Sequence, residues 1–329
     1  MKKLTALLIA LVLILSVAAC AQKAPEASVF SSPSPSAEAS PSEEVSPSAE
    51  PSPADSSLTI TDMTGREVKL DKPAEKIVAL TAADCEILYA LGAGSTVVGR
   101  GEYCDYPAEV LSVPSVQSGS DTNIEQIVAL KPDVVIMSTM AQTEEQIASL
   151  ENAGIRVIVS EAENIEDVYA AITLIGSVVG KNDEAKTVID GMKKTFDDIK
   201  AKVQSDGTKT IYFEVSPLEY GLWSAGTGTF MDELGTMMGL TNIFADFEGW
   251  AEVSEEQVIQ RKPDFIVTTT MSYDSSQKPV DEVMGRDGWG DITAIKDGKV
   301  YNADSNTITR PGPRLAAAAK ELYDFIYGA

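Results

Sequence analysis

One stretch of this 329-residue chain is written twice. Asn123-Ile124-Glu125-Gln126-Ile127-Val128-Ala129-Leu130-Lys131-Pro132-Asp133-Val134-Val135-Ile136 returns as Ser254-Glu255-Glu256-Gln257-Val258-Ile259-Gln260-Arg261-Lys262-Pro263-Asp264-Phe265-Ile266-Val267. Each copy opens on a capping residue, Asn123 or Ser254, with glutamine three positions later. That is capping-box spacing and predicts a short helix. Lys131-Pro132 and Lys262-Pro263 stop it, because the residue before proline is driven out of the helical region. The β-branched run that follows reads as a buried strand. A chain carrying this unit twice is expected to form two lobes, each built around one copy. Both copies place an acid at the second helical position, Glu125 and Glu256. An acid there complements the helix dipole, worth ~0.3–1 kcal/mol. Its matched placement in two lobes also suggests a paired docking role.

Composition removes several function classes. Net charge is −24 and there is no histidine. Such acidity argues against nucleic-acid binding, which needs clustered lysine and arginine. Without imidazole, zinc, manganese and haem-iron sites that rely on it are not expected, nor is a Ser-His-Asp hydrolase. The cysteines Cys20, Cys85 and Cys104 match no zinc spacing.

Residues 1–19 hold two lysines, an apolar run from Leu4 to Val17 and small residues before Cys20, the pattern of a secretory signal peptide. Val17-Ala18-Ala19-Cys20 resembles a bacterial lipobox, so Cys20 is the expected lipidation site. From Cys20 to residue 57 the chain is rich in serine, proline and glutamate, as in Ser32-Pro33-Ser34-Pro35-Ser36. Such a segment buries no core and reads as a disordered tether. Its reach is between ~35 Å as a coil and ~110 Å as polyproline II.

The folded part begins near Leu58. Leu58–Asp62 and Thr64–Val68 read as a hairpin, Lys76–Leu80 as a strand, Asp84–Leu91 as a helix and Val97–Gly99 as a short strand. A helix Glu144–Asn152 and a strand Arg156–Ile158 follow the first repeat. Strands alternating with helices predict parallel sheets covered on both faces. Between 164 and 206 no strand intervenes. Ile165–Val179 and Asp183–Val203 both show helical periodicity, the second reaching about 30 Å, enough to cross between lobes. Alternation resumes at Thr210–Val215, with a helix Thr229–Met238, the second repeat, a strand near Val300-Tyr301 and a last helix Arg314–Tyr327. The expected divisions are a signal peptide (1–19), the lipidated cysteine and tether (20–57), an N-terminal α/β lobe (58–163), a helical linker (164–206) and a C-terminal α/β lobe (207–329).

Lys76-Ile77-Val78-Ala79-Leu80, Glu86-Ile87-Leu88-Tyr89-Ala90-Leu91-Gly92-Ala93-Gly94, Tyr103-Cys104-Asp105-Tyr106-Pro107, both Lys-Pro-Asp units and Ala225-Gly226-Thr227-Gly228-Thr229-Phe230 together resemble the substrate-binding proteins of ATP-driven importers for iron complexes and vitamin B12. The resemblance runs from about Leu58 to the C-terminus. It implies two Rossmann-like α/β lobes joined by a single long interdomain helix, the class III periplasmic-binding-protein arrangement, with ligand held in the cleft between them. The implied role is that of an extracytoplasmic lipoprotein, anchored to the bacterial cell membrane, which captures an iron–siderophore complex. It would act as a monomer and deliver its ligand to an ABC permease dimer and its ATPase subunits. A corrinoid or haem is the alternative ligand. No catalytic residue, resident metal or cofactor is implied; the ligand itself is a chelated metal. Family members dock through one glutamate on each lobe, and those positions fall on Glu125 and Glu256, with Glu255 adjoining the second.

The resemblance also nominates the cleft. Tyr103 matches a position packing on the ligand from the N-terminal lobe, Trp250 an aromatic on the C-terminal lobe, and Arg310 an arginine facing the ligand. Tyr106 either faces the ligand or packs under its loop. Trp223 lines the cleft or belongs to the core, and Arg314 faces the ligand or begins the last helix. Gly119 and Ser138 stand where vitamin B12 relatives often carry tryptophan, which weighs against a corrinoid. Anionic iron–siderophores would favour arginines such as Arg100 and Arg310. Haem would need tyrosine or methionine ligation. Cys85 and Cys104 are either bridged or buried free thiols.

Other classes have less to stand on. Gly92-Ala93-Gly94 follows a helix and lacks the third glycine of a dinucleotide fingerprint. Gly226-Thr227-Gly228 precedes a helix and reads as an anion cradle or a plain cap. A surface adhesin or sensor receptor would share the anchor and tether without needing matched glutamates.

Overall fold

The protein is described from a computed structural model covering residues 57–270 and 278–328. The signal peptide, Cys20 and the tether lie outside the described residues. The chain opens with a hairpin, β1 (Leu58–Thr61) and β2 (Glu67–Leu70). The second strand begins later than expected because Asp62 organises the turn. Its carboxylate accepts from the backbone N–H groups of Thr64 and Arg66 at 3.1 and 2.9 Å.

A five-stranded parallel sheet follows, made of β3 (Ile77–Ala79), β4 (Val97–Gly101), β5 (Ser115–Val116), β6 (Val134–Met137) and β7 (Arg156–Val159), in the order β5-β4-β3-β6-β7. Its helices are α1 (Ala82–Ala90), α2 (Ile124–Leu130) and α3 (Glu144–Asn152). Two helices come next, α4 (Ile165–Val179) and α5 (Asn182–Lys200), separated by Gly180 in the left-handed cap that ends α4. The expected long helix is thus α5, which ends before Val203 and lies against α4 on one side and the C-terminal lobe on the other.

The second lobe contains β8 (Thr210–Glu214), β9 (Leu222–Ala225), α6 (Phe230–Met237), β10 (Thr241–Asn242), β11 (Trp250–Val253), α7 (Glu255–Arg261), β12 (Phe265–Thr268), α8 (Pro279–Met284), α9 (Thr293–Lys296), β13 (Val300–Asn302), α10 (Ser305–Ile308) and α11 (Leu315–Tyr327). Its parallel sheet runs β10-β8-β12-β13, and β9 pairs antiparallel with β11 in a separate ribbon.

The two repeats are built alike. Asn123 and Ser254 cap α2 and α7 through their side chains. Ser254 and Gln257 form the full reciprocal box. Gln126 instead accepts from Gln117 N–H at 3.2 Å, so the first copy has half of it. Lys131 (φ 50°) and Lys262 (φ 47°) end the helices in the left-handed region, the only non-glycine residues with positive φ among those described. The aspartate of each Lys-Pro-Asp then fastens the neighbouring central strand. Asp133 accepts from the backbone of Glu75 and Lys76 ahead of β3, and Asp264 from Thr210 at the start of β8.

Alternation along the central strands divides the core. Val134 and Ile136 of β6, and Phe265 and Val267 of β12, belong to one apolar cluster that continues through Ile172, Phe196 and Leu322. Val135 and Met137 face a second cluster under α2 and α3, while Ile266 faces a third containing Tyr212, Trp289 and Val300. The strands thus bury both faces, as parallel sheets do, and the inner faces of both lobes share one core through α4 and α5.

Candidate functional site

In open parallel sheets ligands bind beyond the carboxyl ends of the strands. In the N-terminal lobe those ends lead into Thr81–Glu86 after β3, Tyr103–Tyr106 after β4, Ser138–Ala141 after β6 and Ser160–Ala162 after β7. The C-terminal lobe meets them with the loop Thr309–Arg314 between α10 and α11.

Thr81 caps α1 by accepting from Asp84 N–H at 3.2 Å. This start aims two acids inward, and Asp84 is 2% exposed and Glu86 4%. A charge so buried needs a partner, and the other lobe supplies two. Arg314 donates from Nε and Nη2 to the Glu86 carboxylate at 2.8 and 2.5 Å. Arg310 donates from Nη1 to Glu86 at 2.9 Å and to Asp105 at 2.6 Å, and from Nη2 to Asn306 at 2.6 Å and the Tyr103 carbonyl at 3.3 Å. The Arg310 hydrogen bond holds the Asp105 carboxyl below its usual range. The Arg314 guanidinium lies over the Tyr106 ring, 4.1 Å from its centroid.

Beside this cluster, Thr81, Asp84, Ser138, Met140, Ser160 and Glu161 face Thr309, Arg310 and Pro311 across a cavity of about 210 Å³. Burial pushes Asp84 up to about 6, against the hydroxyls of Thr81 and Ser160 that favour its charge. Glu161 accepts from the hydroxyl of Ser138 at 3.3 Å and from Met140 N–H at 3.0 Å.

Arg310, Tyr103, Tyr106 and Arg314 are therefore brought together at the lobe junction. Tyr103 is 77% exposed there. Trp223 and Trp250 stand on the β9/β11 ribbon. Trp223 is exposed opposite Glu252, and Trp250 is half-buried against Phe230 at 5.5 Å between centroids. Arg100 is engaged by backbone instead. Its guanidinium donates to the carbonyls of Val113, Gly101, Glu102 and Cys104, a role the expected anion contact did not foresee. Gly119 has φ 88°, a conformation L side chains rarely adopt. Cys85 and Cys104 are free, buried thiols, and Cys104 Sγ lies 3.2 Å from the Thr81 carbonyl. Thr229 caps α6 by accepting from Asp232 N–H, so Gly226-Thr227-Gly228 leads into an ordinary cap.

Glu125 and Glu256 are exposed at the starts of α2 and α7. Glu255 differs: its carboxylate accepts from the indole N–H of buried Trp289 at 2.9 Å.

Sequence reasoning passed over Glu86 and Asp84. The signal was present, since both fall within a run whose neighbours Cys85, Ile87 and Leu88 are apolar, and acids buried in such a run demand partners.

Known proteins share this sequence pattern and fold. An uncharacterized ABC transporter substrate-binding lipoprotein of Bacillus subtilis is 36% identical over 276 residues, 82% of this chain and 85% of its own. The vitamin B12-binding protein of Salmonella paratyphi A is 29% identical over 252 residues, 76% of this chain and 89% of its own. Among solved structures, a possible iron-binding (periplasmic solute-binding) protein of Staphylococcus epidermidis superposes with TM-score 0.66 at 29% identity, covering 78% of this chain and 100% of that one. The periplasmic binding protein family matches residues 77–307, and the chain belongs to that family.

Proposed function

We propose that this protein is an extracytoplasmic solute-binding protein that captures an iron chelate between its lobes and presents it to an ABC importer. The observation that carries the reading is the junction itself. Loops from the carboxyl ends of the N-terminal sheet converge there on the loop between α10 and α11, and Arg310 and Arg314 reach across to Glu86 and Asp105. Tyr103 and Tyr106 supply aromatic surface beside that crossing, and in this reading Trp223 and Trp250 of the β9/β11 ribbon add to it from the C-terminal lobe. The relatives named for substrate binding and for iron support an iron chelate; the vitamin B12-binding relative supports a corrinoid as the second reading.

Binding here is capture without chemistry. The lobes share a core, and hydrogen bonds also tie them: Phe230 N–H donates to the Glu163 carbonyl and Ile165 N–H to the Glu233 carboxylate, each at 2.7 Å. Such fastening allows only modest closure. In this reading Glu125 and Glu256 meet the permease dimer, the chain acts as a monomer, and lipidated Cys20 holds it at the membrane through the segment up to residue 57.

The test is a calorimetric binding screen of iron–siderophores, cobalamin and haem. Binding of an iron chelate supports the first reading; cobalamin alone supports the second; no ligand binding removes both. For the anchor, metabolic labelling with a fatty acid should be lost in Cys20→Ala.

A further inference from the structure

The loops at the carboxyl ends of the two sheets are nearly empty of cations. From 77 to 130 the sequence holds a single lysine or arginine, Arg100, and from 133 to 155 and 157 to 180 it holds none. In the second lobe none occurs from 210 to 260, 263 to 277 or 300 to 309. This depletion covers nearly every segment that can reach a ligand at the junction.

The arginines that do reach these loops are committed. Arg100 is held by four backbone carbonyls. Arg286, with its side chain 3% exposed, is bound to Glu214 and Glu282. Arg310 and Arg314 close on Glu86, and Arg310 also on Asp105. Two lysines stand exposed outside the junction cavity: Lys278 at the start of α8, and Lys320 of α11, which lines a separate cavity with Tyr106 and Arg314. Facing the two junction arginines are four acids: Asp84, Glu86, Asp105 and Glu161.

We infer that the chelate taken here carries no net negative charge. It is uncharged or cationic, of the hydroxamate or corrin kind, and not a catecholate, polycarboxylate or propionate-bearing anion. This rests on the reading of the chain as a chelate-binding protein. An anion would have to sit against acids or draw Arg310 away from Glu86 and Asp105, leaving a buried carboxylate short of its partner. An uncharged chelate meets only the hydroxyls of Thr81, Ser138 and Tyr103 and the aromatic faces. A cationic one gains the carboxylate of Glu161, which is held by hydroxyls and a backbone N–H and, among the described residues, by no arginine.

The test is titration calorimetry with ferrioxamine B (a cation), ferrichrome and cyanocobalamin (uncharged), and ferric tris-catecholate, ferric citrate and haemin (anions). The tightest uncharged or cationic probe should bind about 100-fold or more tighter than any anion, since opposing like charges costs several kcal/mol. An anion binding as tightly overturns the inference and leaves the chelate-binding reading standing. No binding by any probe overturns both. Asp105→Asn tests the cause: Arg310 loses one of its two acids, so the ratio should narrow by about 10-fold. An unchanged ratio overturns the proposal that neutralised arginines set the selectivity. Asp105 is half-exposed, so the variant keeps the core intact.

Discussion

Arg314 meets Glu86 edge to edge across the two lobes, with Nε to Oε2 at 2.8 Å and Nη2 to Oε1 at 2.5 Å. Glu86 also holds Arg310, and its side chain is only 3% exposed. With Asp105 on Arg310, two arginines and two acids thus satisfy one another across the junction. Removing the shared acid leaves two guanidinium groups facing each other.

Glu86→Gln should therefore destabilise the protein by about 3–5 kcal/mol, the range for breaking a buried pair. Arg314→Met should cost less, because Arg310 still pairs with Glu86 and Arg314 is the more exposed partner. Urea unfolding of both variants measures the order; a larger loss in Arg314→Met contradicts it.

Asp84 makes stability depend on pH. Burial raises its pKa from 3.8 to about 6, so the folded chain holds this proton more tightly than the unfolded chain. The stability this contributes is full below about pH 4 and disappears as pH rises through about 6, roughly 3 kcal/mol in all. Asp84→Asn keeps the shape without the titration. Thermal unfolding between pH 4 and 7 should then fall less steeply with rising pH in the variant than in the parent. Equal slopes would show that Asp84 does not titrate in this window.

Much of the fold was legible because local signals agreed. Asn123, Ser254 and the two Lys-Pro steps mark the repeats, and α3 runs from Glu144 to Asn152 as its periodicity requires. The β9/β11 ribbon was not, because Leu222–Ala225 pairs with Trp250–Val253 across an intervening helix and strand. Nothing local announces a partner so distant. The resemblance nominated Arg310 as facing a ligand, but its engagement by Glu86 was not legible. That contact spans 224 positions and depends on how the lobes face each other. Arg100 misled for a related reason, since carbonyls that satisfy a guanidinium carry no sequence signature.

Lys131 and Lys262 hold positive φ without being glycine. The left-handed region costs an L residue ~1–2 kcal/mol, offset in a glycine variant by the greater freedom of the unfolded chain. Lys131→Gly and Lys262→Gly should each stabilise by about 0.5–1 kcal/mol. The two effects should match, because the conformations match to within a few degrees. Denaturant midpoints of the single variants check this; destabilisation by either would mean that the lysine side chain makes a compensating contact.

Glu125 and Glu256 occupy the same position in the two repeats, both exposed and both at a helix start. Glu255 sits one residue away, but its carboxylate is held by Trp289, so it serves the lobe's own packing. The three acids should therefore separate in experiment. Glu125→Lys and Glu256→Lys should each cut ligand import by about 10-fold or more, the scale on which reversing one charge at a complementary interface acts. Ligand affinity should stay unchanged, since neither residue pairs with Arg310 or lines the junction cavity. Glu255→Gln should weaken folding and leave import per folded molecule intact. Uptake of radiolabelled ligand, set beside calorimetric affinity for the same variants, distinguishes the outcomes. Normal import by the double reversal would remove the docking role proposed for these two acids.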